Sequence, residues 1–190
     1  MGAIVRSDVQ SGQQTGGMPD DAPGEEDQGQ YLTFLLGGEM FAIPILNIKE
    51  IIEYGSLTTV PMMPEFIRGV INLRGSVVPV VDLSVRFGRN AAEVTKRTCI
   101  VIIEIESECE KQDVGVVVDS VSEVLEIHRA DVEQAPSFGA RVRSDFIYGM
   151  GKIAGKFVII LNVNRVLSID EMAMLGQAGA AKPEVAMLPG

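Results

Sequence analysis

Several residue types are scarce in this chain, and each scarcity excludes a class of function. The 190 residues include one histidine and no tryptophan. His128 is flanked by charged residues and has no partner for activating a nucleophile, so the usual catalytic arrangements are missing. The two cysteines, Cys99 and Cys109, lack zinc-site spacing and fit a reducing compartment better than a disulfide framework. We therefore expect no enzymatic activity, no metal and no cofactor.

Positive charge is also scarce. The chain has 16 Lys and Arg against 26 Asp and Glu, a net charge of −10. Residues 1–30 hold six acidic residues and one Arg, which is half of that charge. Nucleic-acid binding needs clustered basic residues, and binders of single strands add aromatic platforms. An OB- or SH3-like nucleic-acid-binding module is therefore kept only as the alternative interpretation.

Long apolar runs are missing as well. Residues 1–30 lack the apolar stretch of a signal peptide, and no run of about 20 apolar residues is present to cross a bilayer. We expect a soluble, cytoplasmic protein without direct membrane insertion. The polar composition of residues 1–29 predicts a disordered acidic tail, and the Ala-, Gly- and Pro-rich residues 177–190 predict a flexible one.

The most informative feature that is present is an internal duplication. The segment F-I-R-G-V-I-N-L-R-G, which begins at Phe66, returns 80 positions later as F-I-Y-G-M-G-K-I-A-G from Phe146. Upstream, residues 41–52 align with residues 114–125 at a shift of 73, which places Glu50 on Glu123. The duplication predicts two similar lobes.

Short β-branched runs separated by turn residues predict an all-β fold. Five strands in each half are enough for a small closed barrel, with the first barrel at about 30–90 and the second at about 96–163. Leu83–Phe87 is predicted as one helical turn. A capping box at residues 168–171 predicts a C-terminal helix at about 164–176. The ten predicted strands are Tyr31–Leu36, Glu39–Pro44, Glu50–Tyr54, Gly69–Leu73, Val77–Asp82, Arg97–Glu106, Asp113–Val118, Ser122–His128, Gly149–Ile153 and Phe157–Asn162.

Two β-lobes also suggest an aspartic protease, in which each lobe supplies one carboxylate to a shared pair. The duplication pairs Asp82 with Asn162 and Asp119 with Leu46, so no matched pair of aspartates exists. The residues therefore disfavour this alternative, which an activity that is lost on replacing Asp82 would revive.

Apolar residues around the two aligned glutamates leave two interpretations open. Ile48, Ile51 and Ile52 surround Glu50, and Val121, Val124 and Leu125 surround Glu123; this is more than the alternation of a small barrel needs. About half of them are expected in the core, and the others form patches for partner proteins. Arg74 is either a solvated turn residue or a partner of Glu50 that shapes a recognition surface.

Five motifs follow one another along the chain: I-L-N-I-K-E-I (45–51), P-E-F-I-R-G-V-I-N-L-R-G (64–75), V-V-P-V-V-D-L (77–83), V-G-V-V-V-D-S-V-S-E-V-L (114–125) and E-M-A-M-L (171–175). In this order they resemble the CheW chemotaxis coupling proteins, over about residues 31–175. The resemblance implies a CheW-like domain at residues 30–176, with two five-stranded SH3-like barrels that share a hydrophobic junction.

The resemblance also implies a function, which is to connect chemoreceptors to the histidine kinase CheA in bacterial chemotaxis. Its partners would be the regulatory domain of that kinase and the cytoplasmic tip of the receptors, so that the protein is recruited to membrane-associated receptor arrays. The kinase-binding surface would use Glu50, Ile51 and Arg74. The receptor tip would lie near the barrel junction. Its contacts would be Ile48, Val121 and Val124.

Overall fold

The computed structural model describes residues 28–107, 110–135 and 142–168. These residues form eleven strands and two short helices. The strands are β1 (Gln28–Leu36), β2 (Glu39–Pro44), β3 (Ile48–Glu53), β4 (Ile67–Leu73), β5 (Ser76–Asp82), β6 (Cys99–Ser107), β7 (Glu110–Val118), β8 (Ser120–His128), β9 (Val132–Glu133), β10 (Ile147–Ile153) and β11 (Lys156–Leu161), and the helices are α1 (Leu83–Arg86) and α2 (Val163–Val166).

All ten predicted strands are confirmed, with ends that move by up to three residues, and only the two-residue β9 was missed. The predicted turn of helix at Leu83–Phe87 is α1. Of the predicted C-terminal helix, the described residues contain α2. The rest of the capping box after Ser168, Cys109, the predicted tail 177–190 and residues 1–27 of the predicted N-terminal tail lie outside the described residues. The last two residues of that tail, Gln28 and Gly29, belong to β1 instead.

The strands assemble into two sheets that exchange strands between the two halves of the chain. One sheet has the order β3-β6-β7-β5-β4, and the other has the order β8-β1-β2-β11-β10-β9. The first hairpin of each half therefore lies in the sheet built mainly by the other half. The hairpin β6–β7 joins β3, β4 and β5, and the hairpin β1–β2 joins β8 to β11. The expected barrels at about 30–90 and 96–163 are corrected by this order: these ranges follow the two repeats, whereas the sheets combine them.

The two repeats occupy equivalent places in the two sheets. The first repeat runs through β1–β5 and α1, and the second through β6–β11 and α2. The parallel pair β5–β7 in one sheet corresponds to the parallel pair β11–β2 in the other. The helix-capping positions match as well, because the Asp82 amide donates to the Phe66 carbonyl at 2.7 Å and the Asn162 amide to the Phe146 carbonyl at 2.8 Å.

Each sheet closes on itself through the chain that follows its first edge strand. After β3, Thr58 pairs with Val70 of β4. After β8, the short strand β9 pairs with β10. The repeated glycines allow these approaches: a Cβ on Gly69 would lie 2.5 Å from the Thr58 carbonyl oxygen, and a Cβ on Gly149 would lie 3.0 Å from that of Glu133. The closed sheets are two small barrels, as expected, although their strands come from both repeats and the short β9 gives one of them a sixth strand.

A shared hydrophobic core joins the barrels. Its buried residues include those of β1 and β2 in the six-stranded sheet, those of β6 and β7 in the five-stranded sheet, and residues of both helices. Smaller clusters fill each barrel separately, around Ile100 and Ile102 in one and around Ile127 and Ile160 in the other. In β7, Val114, Val116 and Val118 face the shared core while Val117 faces the barrel interior, which explains its continuous apolar sequence. The shared junction is therefore confirmed.

Candidate partner-binding surface

Two apolar residues of β3, Ile48 and Ile51, lie on the face of this strand that continues the shared core, whereas Ile52 packs into the interior of the five-stranded barrel. Ile48 is opposite Ile103, and Ile51 is opposite Val101. Directly opposed residues point to the same face of a sheet, and both partners are buried in the shared core. The register shifts between Ile48 and Glu50. This bulge brings Ile48 and Ile51, three positions apart, to one face.

The strand β8 repeats this arrangement in the other sheet. Val121 is opposite Phe34 and Val124 is opposite Leu32, again across a register shift. Phe34 and Leu32 are both buried in the shared core. We call Ile48, Ile51, Val121 and Val124 the edge cluster. Its members lie on the two edge strands that flank the junction.

Exposure separates the edge cluster into two pairs. Ile48 and Val121 are partly buried and pack against the shared core. Ile51 and Val124 are 43% and 47% exposed. The core interpretation therefore holds for the first pair, whereas the second pair leaves apolar area open to solvent. A charge placed at Ile51 or Val124 should leave the core intact, which makes these two positions suited to mutational tests.

The predicted pairing of Arg74 with Glu50 is confirmed. The distance from Arg74 Nη2 to Glu50 Oε2 is 3.0 Å. Arg74 lies in the turn between β4 and β5 with a φ of 51°, so the pair joins the two ends of the five-stranded sheet. In the second repeat, Ala154 occupies the turn position of Arg74 with a φ of 49°. The ion pair is therefore specific to one barrel, which makes the two otherwise equivalent edge strands chemically different.

A charged ladder beside the edge cluster was missed by sequence reasoning. Lys49 Nζ lies 2.8 Å from an Asp113 carboxylate oxygen and 3.0 Å from one of Glu104. The hydrogen bond to Asp113 raises the pKa of Lys49 most, and the hydrogen bond to Glu104 raises it further. The hydrogen bond from Lys49 lowers the pKa of Glu104 most, and the hydrogen bond from Lys111 lowers it further. The signal was weak because Lys49 on β3 is far in the sequence from the hairpin β6–β7 that carries its partners.

Asp82, the carboxylate considered for catalysis, has a structural role. It is fully buried, and its Oδ1 caps α1 by accepting the Ser84 amide at 2.9 Å. Its Oδ2 accepts from Arg68 Nε at 2.9 Å and from the Ala92 amide at 3.0 Å. Arg68 also donates to the Tyr54 hydroxyl at 3.1 Å and to the Ala92 carbonyl. This network holds the segment after α1 against the five-stranded barrel.

A concave surface of the described residues lies away from these positions. A groove of about 540 Å³ runs beside Tyr31, Pro44 and Leu46, and none of the six predicted site residues lines it. Among the described residues, no three His, Cys, Asp or Glu side chains are grouped to hold a metal ion. Likewise, none of the described helices has the length and apolar character needed to cross a membrane.

Comparison with known proteins gives one consistent family. A family model for the CheW-like domain matches residues 30–171. Chemotaxis protein CheW of Klebsiella aerogenes is 33% identical over 146 residues, which cover 77% of this chain and 86% of that protein. Chemotaxis protein CheW of Helicobacter pylori is 34% identical over 141 residues, which cover 74% and 82%.

A solved structure agrees with these relatives. The scaffolding protein TtCheW from Thermoanaerobacter tengcongensis superposes with a TM-score of 0.66 and 33% identity, over 73% of this chain and 86% of that one. The alternative of a nucleic-acid-binding module has no support among these comparisons. Duplicated barrels, the order of the motifs and these relatives lead to one conclusion: the chain belongs to the CheW family and is a chemotaxis coupling adaptor, not an enzyme.

Proposed function

We propose that this adaptor binds two partners at once, the cytoplasmic tip of chemoreceptors and the regulatory domain of the histidine kinase CheA. It does so in the cytoplasm, recruited to receptor arrays at the membrane. The observation that carries this proposal is the pair of equivalent apolar edge strands at the barrel junction, of which only one has an ion pair between Arg74 and Glu50 beside it.

The kinase-binding surface comprises Glu50, Ile51 and Arg74. All three residues belong to the five-stranded sheet: Glu50 and Ile51 are neighbours on β3, and Arg74 in the turn between β4 and β5 pairs with Glu50. A few apolar anchors dominate the affinity of most protein interfaces, and nearby charges fix orientation and partner choice. Because the second repeat lacks the counterpart of Arg74, this surface occurs once per molecule and would bind one kinase domain.

The receptor-binding surface comprises Ile48, Val121 and Val124. These residues come from both sheets and lie around the shared core. A receptor tip is a helical hairpin, and an apolar helix face in a hydrophobic groove is a recurrent mode of recognition. Such a ligand suits β3 and β8, since both strands present apolar side chains on the face that continues the shared core.

Binding assays with purified fragments test the proposal. Ile51→Asp and Arg74→Glu should each weaken binding of the kinase regulatory domain by about 30-fold, the loss typical of an interface anchor. Val124→Asp should weaken receptor binding by a similar factor and leave kinase binding within about twofold.

The matched control is Val94→Asp. Val94 is 48% exposed, close to the value for Val124, but it lies in the segment that connects the repeats. Its substitution should leave both affinities unchanged. If wild-type protein bound neither fragment, or if Val94→Asp reduced binding as strongly as Val124→Asp, the proposed function would be wrong.

A further inference from the structure

The side chain of Arg86, the last residue of α1, contacts residues of both repeats. Its guanidinium carbon lies 5.0 Å from the ring centroid of Phe66 and 4.6 Å from that of Phe146. Its Nε donates a hydrogen bond to the Val166 carbonyl at 3.0 Å. Phe66 belongs to the first repeat, whereas Phe146 and Val166 belong to the second.

These contacts coincide with the internal symmetry of the chain. The shift of 80 positions that pairs Phe66 with Phe146 also pairs Arg86 with Val166. A side chain that lies between two equivalent rings, and reaches the backbone of its own counterpart, lies where the two repeats meet. We call the contacts of Arg86 with Phe66, Phe146 and Val166 the clamp. The second repeat has valine at the position of Arg86, so the clamp occurs once.

The chemistry of the clamp is directional, unlike that of the core around it. Apolar burial stabilises the junction but depends little on the angle between the packed elements. A planar guanidinium stacked on aromatic rings, with a hydrogen bond from its Nε, favours one orientation. The shared core therefore keeps the two barrels together, and Arg86 restricts the angle at which they meet.

We propose that Arg86 is a positioning residue for receptor binding, an inference that rests on the proposed function. The receptor surface takes Ile48 from one sheet and Val121 and Val124 from the other, so its shape depends on the angle between the barrels. The kinase surface at Glu50, Ile51 and Arg74 lies within the five-stranded sheet alone. Loss of the clamp alters the first surface and spares the second.

The first test compares the two affinities of Arg86→Met, which keeps most of the length of the side chain but removes its charge and its hydrogen-bond donors. We expect receptor-tip binding about tenfold weaker, within the range for substitutions that act on a site through the surrounding packing, and kinase-domain binding within about twofold of wild type. Arg86→Lys, which keeps the cation, should recover part of the receptor affinity. Lys111→Met is the control, since the ion pairs of Lys111 are with residues of β6. Equal losses for both partners, or no loss for either, would overturn the proposal.

A second measurement needs no partner. Spin labels at Glu53→Cys and Glu126→Cys, in a Cys99→Ser and Cys109→Ser background, report the distance between the exposed edges of β3 and β8 in the free protein. Arg86→Met should broaden the distance distribution and Arg86→Lys should restore it in part, while an unchanged distribution would overturn the proposal. If Arg86→Met did not fold, Phe66→Leu would remove one ring of the clamp with the same expected broadening. If the wild type bound no receptor tip but the distribution broadened as expected, the proposed function would fail while the clamp stood.

Discussion

Replacing Gly69 with alanine tests whether closure of the five-stranded barrel depends on a close backbone approach. A Cβ at this position would lie 2.5 Å from the carbonyl oxygen of Thr58, and the Gly69 φ of +156° is itself unusual for other residues. The contacted atom belongs to the backbone and cannot rotate away. The chain after β3 would have to move, and the hydrogen bonds between Thr58 and Val70, at 3.0 and 2.8 Å, would weaken.

The expected loss follows from these contacts. Overpacking costs about 1–3 kcal/mol, and each net hydrogen bond contributes about 1 kcal/mol. A total of about 3–4 kcal/mol is a large part of the ~5–15 kcal/mol typical of a native domain. Urea denaturation followed by far-ultraviolet circular dichroism measures it. Tryptophan fluorescence is not an option, because the chain has no tryptophan.

Two other glycines provide the comparison. Gly55→Ala should change the free energy of unfolding by less than about 0.5 kcal/mol, because a Cβ added to Gly55 would have no atom within 4 Å. Gly149→Ala should cost about 1–2 kcal/mol, since the nearest contact of its Cβ, at 2.5 Å, would be a side-chain methyl group of Val132. A loss below about 1 kcal/mol for Gly69→Ala, or equal losses for Gly69 and Gly55, would refute the role assigned to this approach.

Three further outcomes are expected. Asp82→Ala should lower the free energy of unfolding by about 3–5 kcal/mol, because it leaves the partly buried Arg68 without its carboxylate. Asp82→Asn, the residue of the second repeat, should lose less because it can still cap α1, and equal losses would contradict this account. Arg74→Ala should cost less than about 1 kcal/mol, because the Arg74 side chain is 80% exposed; a thermal melt that shows a larger loss would mean the ion pair is structural. Burial raises the pKa of the Cys99 thiol, and the negative charge of Glu53 adds to this effect. In Cys109→Ser protein, Cys99 should therefore react with a disulfide reagent more slowly at pH 8 than a cysteine peptide does, and a matching rate would contradict this prediction.

Local signals made the strands predictable, while pairing between distant strands did not follow from them. Alternation and turn glycines identified ten strands, and the repeated F-I-x-G segments identified the internal duplication. The exchange of hairpins between the halves could not be predicted from such local signals. The apolar pattern of β1 and β2 would be the same in either barrel. Their true partners, such as Glu123 for Thr33, lie 90 positions away.

The candidate surface shows the same division. Glu50 and Arg74 were identified as a possible pair from the charge in the N-L-R-G turn and the glutamate among the isoleucines, and the pairing was confirmed. The roles of Ile51 and Val124 in partner binding remain predictions, although their exposure is now known. The Arg86 clamp escaped notice because arginine after a strand is usually solvated, and only the fold places it between Phe66 and Phe146.

The exchange of hairpins between the halves sets an order for synthesis on the ribosome. The five-stranded barrel contains β3–β7, so it is complete once Val118 has emerged. The hairpin β1–β2 is made first, but its neighbours β8 and β11 are made only after the five-stranded barrel is complete. During that interval, two unpaired strand edges are exposed to other chains, a hazard that slow, non-local pairing creates. A nascent chain of this protein is therefore most prone to aggregation through its earliest strands, and a chaperone that shields β1–β2 until Leu161 is released would have the greatest effect on yield.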